Sequence, residues 1–193
     1  MIEIWRKVNG IETLVGSIAD DNAGYEKALM GVDEVRVSVV VSEPLDIQVR
    51  DYIRMDGVEY TLNREPDLTK ASAVEYRYDL VFESPAYNLM DKLYREALTG
   101  NSRFFLTGTL EDFVDLLLLN INDEEFDAGW GKYADENGKI RIVETELKNL
   151  TFESISCYDV LSKLANEFAV EYRIEGRKIC IRGTGGKYTG PEV

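Results

Sequence analysis

The segment from Leu150 to Arg182 constrains the fold of this 193-residue chain more than any other, because it reads as a short strand, a capped amphipathic helix and a β-hairpin with no linker between them. Ser156 can accept a hydrogen bond from the backbone N–H of Asp159 while the Asp159 carboxylate reaches back, an S-x-x-D form of the capping box, so a helix starts there. Cys157, Val160, Leu161, Leu164, Ala165 and Phe168 then recur at three- and four-residue steps, which leaves Asp159, Ser162, Lys163, Asn166 and Glu167 on the wet side. Val170 to Ile174 and Arg177 to Arg182 alternate as strands around Glu175-Gly176, so the helix is expected to lie across a hairpin.

The first 85 residues carry strand signals separated by turn signals. Ile2 to Lys7 and Ile11 to Val15 flank Asn9-Gly10, and Val49 to Leu62 folds back on itself at Asp56-Gly57. Both dipeptides tolerate positive φ at two successive residues, as a type I′ hairpin turn requires. Asp20 to Gly24 forms a loop. Val35, Val37, Val39 and Val41 alternate with Arg36, Ser38 and Val40 until Pro44 ends the run. Tyr76, Tyr78, Leu80 and Phe82 give a second strand an aromatic inner face. Short strands at this spacing predict a small barrel or sandwich.

From Pro85 the period changes. Tyr87, Met90, Leu93, Tyr94 and Ala97 fit a helix with Ser84 as N-cap and Pro85 at its first position. Thr109 can cap a further helix with Asp112, running to about Ile121. Its polar face begins with Glu111, Asp112 and Asp115, but Leu118 and Leu119 then fall on that same side. A helix apolar nearly all round is either buried within its subunit or covered by a partner, so Leu118 and Leu119 are candidate subunit-interface residues with burial as the equal alternative. A strand, a T/S-x-x-D cap and a helix thus occur twice, at Leu106 to Ile121 and Leu150 to Phe168, a suggestion of internal repetition. Asn122 to Asn137 is acidic and turn-rich, and Lys139 to Glu144 resumes strand character.

The sequence argues against bond-making chemistry. It contains no histidine, which removes Ser-His-Asp and Cys-His triads and His-ligated zinc. Cys157 and Cys180 give neither a disulfide framework nor a zinc spacing and read as buried thiols. Asp135, Asn137, Gly138, Ile140 and Glu144 match positions of a calcium loop, but Tyr133 stands where its first carboxylate belongs, and Asn137-Gly138 reads better as a hairpin turn. Asp123, Glu124, Glu125 and Asp127 could hold a hard cation, although a charged loop is more often solvated. Gly183 to Thr189 imitates a phosphate loop with Ile181 in place of the first glycine and Tyr188 in place of the hydroxyl ligand. No catalytic, cofactor-binding or metal residue is therefore assigned, and no cofactor is expected. The net charge of −14, from 36 acidic and 22 basic residues, has the wrong sign for phosphate attraction, so specific nucleic-acid binding is not expected. No apolar run approaches the roughly 18 residues of a membrane span, and Met1 to Arg6 lacks a secretory pattern, so a soluble, cytoplasmically made protein without membrane insertion is expected.

The helix and hairpin of Leu150 to Arg182 resemble those of phage and prophage tail hub proteins, the N-terminal region of tail-associated lysins and peptidases, shared with contractile-injection spike hubs. Val49 to Leu62 looks like the early hairpin of that family, and Tyr78 to Pro85 and Leu106 to Phe113 look like further segments of it. The resemblance covers most of the chain, and it would equally allow an extended arm in place of the helix after Pro85. It implies an α+β protein, mainly antiparallel β, with a barrel-like domain over 1–85 and a module of helices packed on short hairpins over 86–193. It further implies a structural part of a tail-tip or baseplate hub, assembled in the host cytoplasm as a trimer that joins the tail tube to other tail-tip proteins. Longer members continue into further hub elements and sometimes a lytic domain, so the second module is expected to be incomplete at its C-terminal end. Two other classes stay open: a hydrolase working through paired carboxylates, and a monomeric tail-tip adaptor or carbohydrate-binding β-module using aromatics such as Trp130 and Tyr133.

Overall fold

The computed structural model describes residues 1–19, 23–28, 30–31, 33–72, 74–121, 131–132 and 146–183, in two compact units, Met1–Pro85 and Ala86–Val193. In the first, the strands are β1 (Ile2–Val8), β2 (Ile11–Ile18), β3 (Ala23–Lys27), β4 (Asp33–Val41), β5 (Tyr52–Met55), β6 (Val58–Leu62), β7 (Asp67–Ser72) and β8 (Glu75–Glu83). They form one antiparallel sheet in the order β2-β1-β5-β6-β8-β4-β3, with β7 paired to β8. The sheet curls into an open half-barrel, so the expected barrel is realised without closure. Both type I′ turns form as the sequence predicts, with φ of 51° and 80° at Asn9 and Gly10 and of 49° and 76° at Asp56 and Gly57.

Alternation decides which side of this sheet is dry. Val35 and Val37 are buried while Arg36 and Ser38 are exposed, and β8 buries Tyr78, Leu80 and Phe82 against them. Ile4, Ile53 and Leu62 complete the core. Among the described residues three carboxylates of this unit are buried, Asp33, Glu34 and Asp51. Asp33 accepts hydrogen bonds from the Tyr60 hydroxyl at 3.0 Å and the Tyr25 hydroxyl at 3.3 Å, which ties edge strand β3 to the sheet. Asp51 accepts from Arg6 through Nε at 2.8 Å and Nη2 at 2.9 Å, and from the Gln48 backbone N–H at 2.8 Å. This fork joins β1 to the segment entering β5, and a buried carboxylate is tolerable only when so many of its lone pairs are met.

The second unit starts with a 3-10 helix at Pro85–Met90. It continues through β9 (Arg103–Gly108), α1 (Leu110–Ile121), β10 (Gly131–Lys132), β11 (Lys148–Glu153), α2 (Cys157–Phe168), β12 (Val170–Glu175) and β13 (Lys178–Gly183). β9 and β11 form an antiparallel ribbon. β12 and β13 form the expected hairpin, to which β10 adds in parallel. The helices pack over these strands around Phe113, Leu117, Phe152, Leu161, Leu164 and Phe168.

Of the two forms open to residues 84–97, each is adopted in part. The long helix over Tyr87 to Ala97 does not form: the 3-10 turn buries Ala86 and Leu89, three residues apart as its period requires, and leaves Met90 and Leu93 exposed. Beyond it Leu93 makes an isolated antiparallel bridge to Ser156. The Tyr94 N–H donates to Ile155 O at 2.9 Å and the Cys157 N–H donates to Lys92 O at 2.7 Å. The hairpin turn lies one residue later than expected, at Gly176-Arg177, because Glu175 pairs with Lys178 and Gly176 takes the positive φ of 56°.

Both helix caps form. Asp159 N–H donates to Ser156 Oγ at 3.0 Å, and Ser156 Oγ donates to the Asp159 carboxylate at 2.7 Å. At α1 the Asp112 carboxylate accepts from both the Thr109 N–H, at 2.7 Å, and the Thr109 hydroxyl, at 2.8 Å. Leu110, Phe113, Val114, Leu117 and Ile121 in α1 occupy the same helical positions as Cys157, Val160, Leu161, Leu164 and Phe168 in α2, all buried. The two strand–cap–helix units therefore share one packing pattern despite little identity.

Gly108, where β9 meets the first cap, has no room for a side chain: an added Cβ would lie 2.9 Å from Asp112 Cβ. Gly108→Ala is expected to displace Asp112 and lose the cap, at about 1–2 kcal/mol. Urea unfolding checks this, and an unchanged midpoint would refute it.

Candidate functional site

The acidic run at 123–127, the calcium-like loop at 133–144, the strand expected at 139–144, Trp130, Tyr133 and 184–189 lie outside the described residues. Among the described residues, no three side chains of the His, Cys, Asp or Glu type are placed to hold a metal ion. Glu12 and Asp46 are held below the usual carboxylate range, chiefly by hydrogen bonds from Arg54 and Arg6 respectively. That direction is opposite to the one a general acid of a glycosidase needs.

The thiols are buried as expected. Burial pushes Cys157 up to about 12 and Cys180 up to about 11, because the thiolate has lost its water. Both should resist a thiol reagent at pH 8 in the folded protein and react when it is unfolded; fast labelling of the native chain would contradict this burial. Unfolding frees the Cys157 thiol to ionise near 9.0, so the unfolded state sheds its proton first. The Cys157 contribution to stability is thus complete below about pH 9 and declines as pH rises toward about 12. An unfolding series across that interval checks the sign.

What remains is surface. Leu118 and Leu119 are separated by the helix they share: Leu118 is half-buried and packs on the core, whereas Leu119 is 58% exposed. At about 100° per residue, Leu119 projects opposite the stripe of Leu110, Leu117 and Ile121. Glu111, Asp112 and Asp115 are exposed on the same side of the helix, about one to two turns before it.

Leu98 and Phe105 are among the exposed apolar residues that sequence reasoning passed over. Phe105 is 74% exposed on the outer face of the β9–β11 ribbon, opposite Thr151. Leu98 is 93% exposed at the tip of a tight turn. That turn is held from within: Glu96 N–H donates to Asn101 O at 3.0 Å, Gly100 N–H to Glu96 O at 2.9 Å, and the Thr99 hydroxyl to the Glu96 carboxylate. Its base is clamped to α1 by Asn120, whose side chain accepts from the Arg95 N–H and donates to the Arg95 carbonyl, each at 3.0 Å. Thr99-Gly100-Asn101 was the available sequence signal for this turn, with Gly100 supplying a φ of 69°.

No protein-family profile matches the sequence, and no curated protein matches it significantly. Solved structures do. Prophage tail protein gp18 from Listeria monocytogenes EGD-e is similar over 95% of this chain and 51% of its own, at 11% identity and a TM-score of 0.64. The tail protein from Neisseria meningitidis MC58 is similar over 100% and 53%, at 14% identity and a TM-score of 0.56. The 43 kDa tail protein of prophage MuSo2 from Shewanella oneidensis is similar over 96% and 56%, at 11% identity and a TM-score of 0.54. The chain spans about half the length of each of these structures. Both of its units thus carry a fold that prophage tail proteins also carry, with the curled antiparallel sheet followed by helices packed on strands.

Proposed function

We propose that this chain is a structural component of a phage or prophage tail tip, a baseplate hub that joins the tail tube to the tail tip by ring assembly. The observation that carries the reading is that likeness to three tail proteins extends through both units, over 95–100% of the chain, rather than through one common motif. In this reading Met1–Pro85 is the barrel-like hub domain and the rest is the second hub module. Three copies then present two similar modules each, in quasi-sixfold array, to the tube. The protein acts through shape and contact, without catalysis. Edge strands β2 and β3 and the exposed apolar residues supply candidate contacts. If acidic side chains line the lumen, the net charge of −14 repels exiting DNA.

Deleting the gene from its phage or prophage and imaging the particles tests the reading. Tails without a tip, or no assembled tails, are expected. Intact, infective particles would overturn it.

A further inference from the structure

We propose that residues 42–47 are a detachable strap, closed across the dry face of the first unit's sheet and able to open on the turn at 48–51 while the strands stay paired. Topology sets its path. The segment joins β4 to β5, but β8 and β6 lie between those two strands in the sheet, so the chain must cross both. It crosses on the buried side, since Leu45 and Ile47 pack against the core to which Tyr78, Leu80 and Phe82 belong, whereas Asp46 and Gln48 are exposed.

Leu45 to Gln48 thus alternate as a strand does, yet residues 42–47 belong to no strand of the sheet. Side chains of the strands beneath hold the main chain instead. The Tyr78 hydroxyl of β8 accepts from the Leu45 N–H at 3.0 Å and donates to the Leu45 carbonyl at 3.4 Å. Arg6 of β1 donates to the Asp46 carbonyl at 2.6 Å and to its carboxylate at 3.0 Å. The far end is anchored differently. Asp51 N–H donates to Gln48 O at 3.0 Å, and Gln48 N–H donates to the Asp51 carboxylate at 2.8 Å. Arg50 N–H donates to Leu62 O, and Leu62 N–H to Asp51 O, each at 2.8 Å. This turn, with Arg50 at a φ of 78°, is bonded into the sheet and serves as the hinge.

The latches of Tyr78 and Arg6, the second of them on a largely exposed carboxylate, are weaker than the continuous ladder that joins β4 to β8, so the strap opens before the sheet does. Leu45 and Ile47 are only half-buried, and opening therefore exposes far less apolar surface than unfolding. It bares the dry face of the half-barrel while the fold stays intact.

Thermolysin, which cleaves before Leu and Ile, reads the open state at Leu45 and Ile47 in the full chain. Cleavage there is expected well below the urea concentration of global unfolding, at a rate that rises with urea much less steeply than unfolding does. Tyr78→Phe removes one latch and is expected to raise that rate about 10-fold, and Asp46→Ala about 3-fold. In Asp46→Ala the Leu62 amide, bonded within the sheet, should keep the slow hydrogen exchange of the parent. Cleavage that follows global unfolding in its urea dependence overturns the strap, as does an unchanged rate in both variants.

Discussion

Replacing Phe152 with alanine is expected to destabilise the second unit by about 4 kcal/mol, the largest effect of any single truncation considered. The Phe152 ring is buried at the centre of an aromatic cluster. Tyr94 stands edge-on to it at 4.7 Å, Phe104 stacks on it at 5.1 Å and Phe113 lies at 5.9 Å, all between centroids. Lys163 Nζ sits over the same ring at 5.5 Å. These neighbours come from the extended arm, β9 and both helices, so the cavity left by the ring cannot be filled by the movement of one element. Urea unfolding followed by circular dichroism measures the loss. A change below about 1 kcal/mol would mean that the cluster relaxes freely and is not the keystone of this unit.

Asp51→Ala should be the most damaging change in the first unit, at about 3 kcal/mol. Removing the carboxylate leaves the Gln48 N–H and two guanidinium donors of Arg6 without their acceptor. Arg6 retains Asp46, through the 3.0 Å contact to its carboxylate and the 2.6 Å hydrogen bond to its carbonyl, and this keeps the cost below that of an isolated buried charge. Asp46→Ala supplies the contrast. Its side chain is largely exposed, so the same arginine loses only a solvent-screened partner, and an effect much smaller than that of Asp51→Ala is expected. Equal effects of the two substitutions would show that burial of Asp51 does not set the energetics. The two units may be read separately in such experiments, because Phe152 and Asp51 lie in different units with separate cores.

The elements that the sequence specifies correctly are those whose signals are local. Asn9-Gly10 and Asp56-Gly57 are turns because few other residues accept positive φ twice in succession, whatever surrounds them. Ser156 with Asp159, and Thr109 with Asp112, begin helices because the cap is complete within four residues. The buried stripe of α2 follows from period alone, and every residue assigned to it is buried.

The errors occur where a neighbour distant in sequence decides. Tyr87, Met90, Leu93 and Tyr94 have helical spacing, yet Lys92 and Tyr94 bond instead to Cys157 and Ile155, and the Tyr94 hydroxyl donates to Phe113 O at 3.0 Å. No local preference encodes an acceptor so far along the chain. Leu118 and Leu119 looked alike as neighbours on a polar face, but only packing against the core separates the one from the other. The exposed apolar residues follow the same division. Composition and the missing histidine argued against an active site, but the choice of Leu98 and Leu119 as exposed apolar residues depended on the folded chain.

The sequence by itself determined the two type I′ turns, the starts of the two capped helices, the dry faces of the long strands and the absence of histidine chemistry, since each depends on residues within a few positions of one another. Only the tertiary structure decided that the sheet stays open, that residues 92–94 bond to residues 155–157 instead of continuing a helix, and which leucines remain uncovered. Those outcomes are set by pairings across tens of residues, where the free energy of packing outweighs the small local preferences that a sequence displays.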